Sequence, residues 1–173
     1  MQAEQIFAAL ERHLKAQYEP ELLLLKGHLI LEQCLNEFLR VHIPDAESLE
    51  RLNLSFSKKL DLLVALCHKL YVPGADGEKL VREINRIRNG LAHRLDFQDL
   101  DAELKQWACS VLQHTPKSLG RRKTYLNTVR RAFMFTAAFM SGVAEAQHAL
   151  KEAVRPNPSF KRTCLRPAAQ LKR

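Results

Sequence analysis

The chain has 173 residues, 46% of them hydrophobic, with only six glycines and seven prolines. That suits one helical domain with a real core better than a sandwich or a disordered chain. The formal net charge is +8, yet Arg155 to Arg173 holds six basic residues and no acid; taking six from the 27 basic residues leaves 21 against 19 acidic ones, a body near neutrality. Bulk charge therefore does not make the folded part a nucleic-acid binder, and any basic site must be a local patch. No apolar run is long enough for a transmembrane helix, so no membrane association is expected. The Met-Gln-Ala-Glu-Gln start lacks a basic region followed by an apolar one, so no signal peptide is expected and the cytoplasm is the default compartment.

In chain order, Gln2 to Gln17 reads as a first helix with Ile6, Phe7, Leu10 and Leu14 on one side. Glu19-Pro20-Glu21 opens a second, with Pro in the first turn, running to His42 before Pro44. Its apolar residues, Leu24, Leu25, Leu29, Leu31, Leu35, Phe38 and Leu39, cover more than one face. Such a helix is central to a bundle or shared with a second subunit. Pro44 to Ser55 is a connection with a helical turn at Ala46 to Leu52, and Ser57 is the expected cap of a helix from Lys58 to Leu70. Pro73-Gly74-Ala75-Asp76-Gly77 is a breaker, followed by a helix from Glu78 to Leu95. A further helix spans Phe97 to His114, with Leu100, Leu104, Trp107, Ala108 and Val111 inward. Thr115 to Gly120 is a loop, and Arg121 to Val154 is the last helix, with Leu126, Val129, Phe133, Ala137, Met140 and Ala144 as its stripe. No period-2 strand pattern competes.

The four cysteines, Cys34, Cys67, Cys109 and Cys164, are scattered without a Cys-x-x-Cys pair and read as reduced small hydrophobes. No ligand spacing supports a metal site, and no cofactor is expected. His13, His28, His42, His68, His114 and His148 lie on separate segments and read as surface or core-edge residues. Arg121, Arg122, Lys123, Arg130 and Arg131 load positive charge onto the start of the last helix, where the helix dipole disfavours cations. That placement makes them candidate RNA-binding residues; the plain alternative is a solvated basic turn.

The basic tail, residues 155–173, has prolines at Pro156, Pro158 and Pro167 and no apolar period, and is expected to extend from a domain of residues 1–154. Its run from Asn157 to Arg173 resembles the translated recombination-site ends of integron gene cassettes. Deleting Arg155 to Arg173 is expected to move the thermal midpoint by no more than a few degrees, the shift that ~1 kcal/mol causes in a domain of this size. A large drop by calorimetry would show that the tail packs on the body.

The most informative stretch is Arg88-Asn89-Gly90-Leu91-Ala92-His93. Arg offers a charged fork that matches phosphate, His moves a proton near neutral pH, and Asn can orient either. Five helical residues turn the chain through roughly 140° net, so Arg88 and His93 do not share a face. Leu80, Ile84, Ile87, Leu91 and Leu95 form the apolar stripe; Arg88 flanks it and His93 lies nearly opposite. A compact site then needs a helix distortion, for which Gly90 is the candidate, or a second copy of the helix.

With its all-helical setting, this Arg-Asn-x3-His motif resembles the signature of the HEPN superfamily (higher eukaryotes and prokaryotes nucleotide-binding), in which Arg is followed after four to six residues by His. Gly27 to Leu39 is similar to the long early helix of its mannitol-operon-repressor-like branch, and the likeness covers roughly residues 15 to 150. Leu95 stands where one toxin branch carries Tyr. The resemblance implies metal-independent RNA cleavage, or RNA binding in a diverged site, with Arg88, Asn89 and His93 as catalytic residues of a composite site at a dimer interface. Its products would carry a 2′,3′-cyclic phosphate. It implies RNA and a second copy of the chain as partners and leaves room for an antitoxin or regulatory protein. The alternative is a non-enzymatic dimeric regulator or stress-linked interaction module. The expected fold is an all-α, up-and-down bundle of five or six helices that dimerises.

Overall fold

The computed structural model describes residues 3–15, 18–43, 51–67, 71–72, 75–93 and 98–154, and these form a helical bundle. Among the described residues there are six helices: α1 (Ala3–Leu14), α2 (Pro20–His42), α3 (Phe56–Cys67), α4 (Gly77–His93), α5 (Leu100–Leu112) and α6 (Arg122–Val154). The breaker before α4 carries a two-residue antiparallel ladder, β1 (Tyr71–Val72) on β2 (Ala75–Asp76), too short for any period-2 signal. The tail, residues 155–173, and most of the turn expected at Ala46 to Leu52 lie outside the described residues.

Local chemistry sets the helix ends. Pro20 opens α2 at its first position, where its missing N–H costs nothing. The α3 cap is Ser55, two residues before the expected Ser57: its Oγ accepts from the Lys58 N–H at 3.4 Å, and α3 starts at Phe56 because that ring is buried. Asp76 caps α4, its carboxylate accepting from the Lys79 N–H at 3.1 Å. α5 stops where Gln113 enters the left-handed region at φ 51°.

The long helices α2 and α6 make the most extensive contact and form the spine; α1 packs on both, α5 lies on α6, and α3 and α4 lie on α2. The apolar width of α2 is thus largely explained within one subunit, because it faces α1, α3, α4 and α6 at once. Leu24, Leu31, Leu35, Phe38 and Leu39 are buried, whereas Leu22 and Leu29 stay exposed. The α6 stripe from Leu126 to Ala144 is buried as its spacing predicts. Trp107 bridges two layers: its ring lies 4.8 Å from that of Phe133, and its indole N–H donates to the Leu80 carbonyl at 3.0 Å. Burial pushes the Cys34 thiol up to about 11, which makes it an inert small hydrophobe. The side chain of Cys67, and all of Cys164, lie outside the described residues. Among the described residues no helix is long and apolar enough to cross a membrane.

Candidate functional site

The motif is carried by α4. Val81, Ile84 and Ile87 are buried, and Leu80 and Leu91 are half-buried against the core; Leu95 lies outside the described residues. Two arginines brace the helix against its neighbours. Arg82 pairs with Glu78 at 2.8 Å and Asp61 of α3 at 2.7 Å; Arg86 pairs with Glu83 at 2.7 Å and Glu103 of α5 at 2.8 Å. The Arg86 hydrogen bonds hold the Glu83 carboxyl below its usual range. These pairs are partly solvated, so each contributes little to stability, and two of them connect α4 to α3 and α5.

Arg88 is half-buried beside the apolar stripe, and its Nη1 donates to Asn89 Oδ1 at 3.1 Å. Among the described residues no carboxylate lies within salt-bridge distance of Arg88. His93 is the last residue of α4 and is exposed. The helix runs unbroken through Gly90, so no distortion there brings His93 round to Arg88. Arg88 and Asn89 are together; His93 points elsewhere on the same helix.

His28 is the residue that sequence reasoning undervalued. It is no surface residue: it is 4% exposed, its Nε2 lies 3.0 Å from Asn85 Oδ1 and its ring lies 4.2 Å from that of Phe56. The signal was present. His28 falls in the same helical row as Leu24, Leu31 and Leu35, all of them buried. One turn on, Glu32 pairs with Lys59 of α3 at 2.6 Å. Burial holds the His28 imidazole below its ordinary value of 6.5; the Asn85 bond opposes this, Arg88 adds to it, and Glu32 opposes it. A lowered folded value means that the unfolded chain binds the proton more readily. Stability supplied by neutral His28 is therefore complete above about pH 6.5 and is lost as pH falls through the folded value. Urea midpoints measured between pH 7 and pH 5 are expected to fall with pH, and His28→Gln should flatten that slope. An unchanged slope would place the titrating group elsewhere.

The basic cluster at the start of α6 is divided. Arg121, Lys123 and Arg131 are exposed. Arg122 Nη2 donates to the Tyr18 carbonyl at 2.8 Å and pairs with Glu19 at 3.2 Å. Arg130 Nε donates to the Leu14 carbonyl at 2.8 Å, and its Nη1 donates to Asn127 at 2.7 Å. These two arginines satisfy carbonyls at the end of α1 and in the α1–α2 connection, and Arg122 also meets Glu19, so cations near this helix start have partners within the subunit. The cluster meets the Pro20 end of α2, whereas Asn85 meets α2 at His28, between two and three turns further on.

The larger concavities described lie away from the motif. A groove of about 420 Å³ between α4 and α5 is lined by Asp76, Lys79, Leu80, Glu83, Gln106, Trp107 and Ser110 and does not include Arg88, Asn89 or His93. Among the described residues no group of three or more His, Cys, Asp or Glu side chains is placed to hold a metal ion. No protein-family model, curated protein or solved structure matches the chain.

Proposed function

We propose that the chain is an RNA-acting protein of the HEPN type, a metal-independent endoribonuclease whose composite site forms when two α4 helices meet across a twofold axis. The observation that carries the reading is Arg88, a half-buried guanidinium held by Asn89 with no carboxylate among the described residues to neutralise it. His93, five residues on and exposed, stands roughly 140° round an unbroken helix from Arg88, which supports completion of the site by a second copy.

In this reading Arg88 binds the scissile phosphate and the charge that develops on it. Asn89 accepts a hydrogen bond from Arg88 and fixes its fork. His93 of the partner subunit takes the proton of the ribose 2′-hydroxyl as that oxygen attacks phosphorus. The bond from phosphorus to the 5′-oxygen breaks, the leaving oxygen takes a proton from water, and the product is a 2′,3′-cyclic phosphate. DNA, which lacks the 2′-hydroxyl, resists. Arg121, Lys123 and Arg131 remain as an exposed basic surface for the RNA backbone.

Leu22 and Leu29, seven residues apart on one line of α2 and 46% and 59% exposed, offer apolar surface for a second copy. Light scattering at micromolar concentration is expected to show a dimer, and a monomer there would count against the composite site. The reading itself is tested by incubating the protein with mixed cellular RNA in the presence of a chelator, beside His93→Ala. Cleavage that the variant loses supports it. Cleavage that the variant keeps overturns the mechanism. No cleavage across a broad panel favours the second reading, a non-enzymatic dimeric regulator, which fits the absence of Arg88 and His93 from the larger grooves described.

A further inference from the structure

The three arginines of α4 are treated differently by their neighbours. Arg82 has Glu78 four residues before it, Arg86 has Glu83 three before it, and each also reaches a carboxylate on an adjoining helix. Arg88 has Ile84 and Asn85 at those positions, with Leu91 and Ala92 at the matching positions ahead. Asn85 nevertheless makes a tertiary tie of its own, accepting at Oδ1 from His28 Nε2 at 3.0 Å. An Asp at position 85 would make that bond at least as well, because a charged acceptor is the stronger one. It would also stand one turn before Arg88, at the spacing by which Glu83 holds Arg86.

We infer that His28 and Asn85 are a positioning pair for Arg88: they lock the motif segment of α4 to α2 through a neutral hydrogen bond and leave the guanidinium charge for an external phosphodiester. The inference rests on the reading of Arg88 as the phosphate-holding residue. The groups around His28 agree with it. Asn85 and Arg88 face it from α4, and Phe56 faces it from α3. On its own helix Glu32 is already paired with Lys59 of α3. Burial keeps the imidazole neutral near pH 7, so Arg88 is the uncompensated charge of the group. The pair also explains why a His sits in a row of leucines. It supplies a donor to Asn85 that no aliphatic residue could, without adding a second cation beside Arg88.

The decisive variant is Asn85→Asp. A purely structural role for position 85 is preserved in it, and thermal stability should match or exceed that of wild type. Phosphate binding should not survive. Titration of inorganic phosphate, followed by the Arg88 Nε–H resonance, is expected to show about tenfold weaker binding, and kcat/KM on RNA should fall by a similar factor. Should Asn85→Asp fail to fold, His28→Leu removes the donor to Asn85 in a row of buried leucines and adds no charge, and phosphate binding must weaken in it as well. Wild-type affinity in the folded Asp variant, or in His28→Leu where that variant is used, overturns the inference. So does a wild-type Arg88 resonance that does not respond to phosphate. Phosphate binding at Arg88 without RNA cleavage by wild type would remove the nuclease reading alone, leaving the pair to be judged by the phosphate titration.

Discussion

Arg88→Ala and His93→Ala are each expected to lose most RNA cleavage, and the double variant to lose little more. Residues that serve one chemical step are non-additive, because the step fails once either is gone. The removal of a general base or acid typically costs 10²- to 10⁴-fold, and loss of an electrostatic clamp on the reacting phosphate is of similar size. Folding should survive all three changes, since Arg88 only flanks the apolar stripe and His93 is exposed. Circular dichroism and single-turnover rates on one RNA check the two halves of the claim. Additive losses would mean that the residues act in separate steps. Activity should persist in chelator, because neither side chain needs a metal for this chemistry.

Gly27→Ala is expected to destabilise the fold by about 1–3 kcal/mol, although Ala is normally the better helix former by about 1 kcal/mol. The reason is the close approach of α2 to α6. A Cβ at Gly27 would stand 2.6 Å from three ring atoms of Phe133. That ring cannot swing aside, because it is fully buried and packed on Trp107. Phe133→Ala should cost more, about 3–5 kcal/mol, through the cavity it leaves. The two sites touch, so they should couple: Gly27→Ala should cost less in a Phe133→Leu background than in wild type. Urea denaturation of the four proteins in the Gly27→Ala and Phe133→Leu cycle gives the coupling directly. A Gly27→Ala variant more stable than wild type would show that the helices do not approach so closely.

Much of the fold was legible because it is local and periodic. The stripe from Leu126 to Ala144 needed only helical spacing to be placed inward, and Ile84 and Ile87 likewise oriented the motif helix. Boundaries were read less well. Ser55 rather than Ser57 caps α3, because burial of Phe56 decides where the helix begins. The placement of the motif side chains was legible to the extent that Arg88 is half-buried beside the stripe and His93 is exposed. What sequence spacing could not supply were the partners distant in the chain. His28 and Asn85 are 57 positions apart, and nothing local to either names the other. Arg122 and Arg130 looked like unexplained cations until the carbonyls of Tyr18 and Leu14, more than a hundred residues earlier, proved to be their acceptors. The same limit applied to α2. Its apolar width had two explanations, and its contacts with α1, α3, α4 and α6 show that most of it is spent inside the subunit.

The central claim is that Arg88 of one subunit works with His93 of the other, and subunit mixing tests it most directly. Arg88→Ala and His93→Ala protein, each inactive alone, would be unfolded together, refolded as a mixture and assayed on RNA. If the site is composite, each mixed dimer holds one intact Arg88–His93 site, and random assortment restores about a quarter of wild-type activity. If both residues served within a single subunit, no dimer in the mixture would hold an intact site, and activity would stay at the level of the single variants.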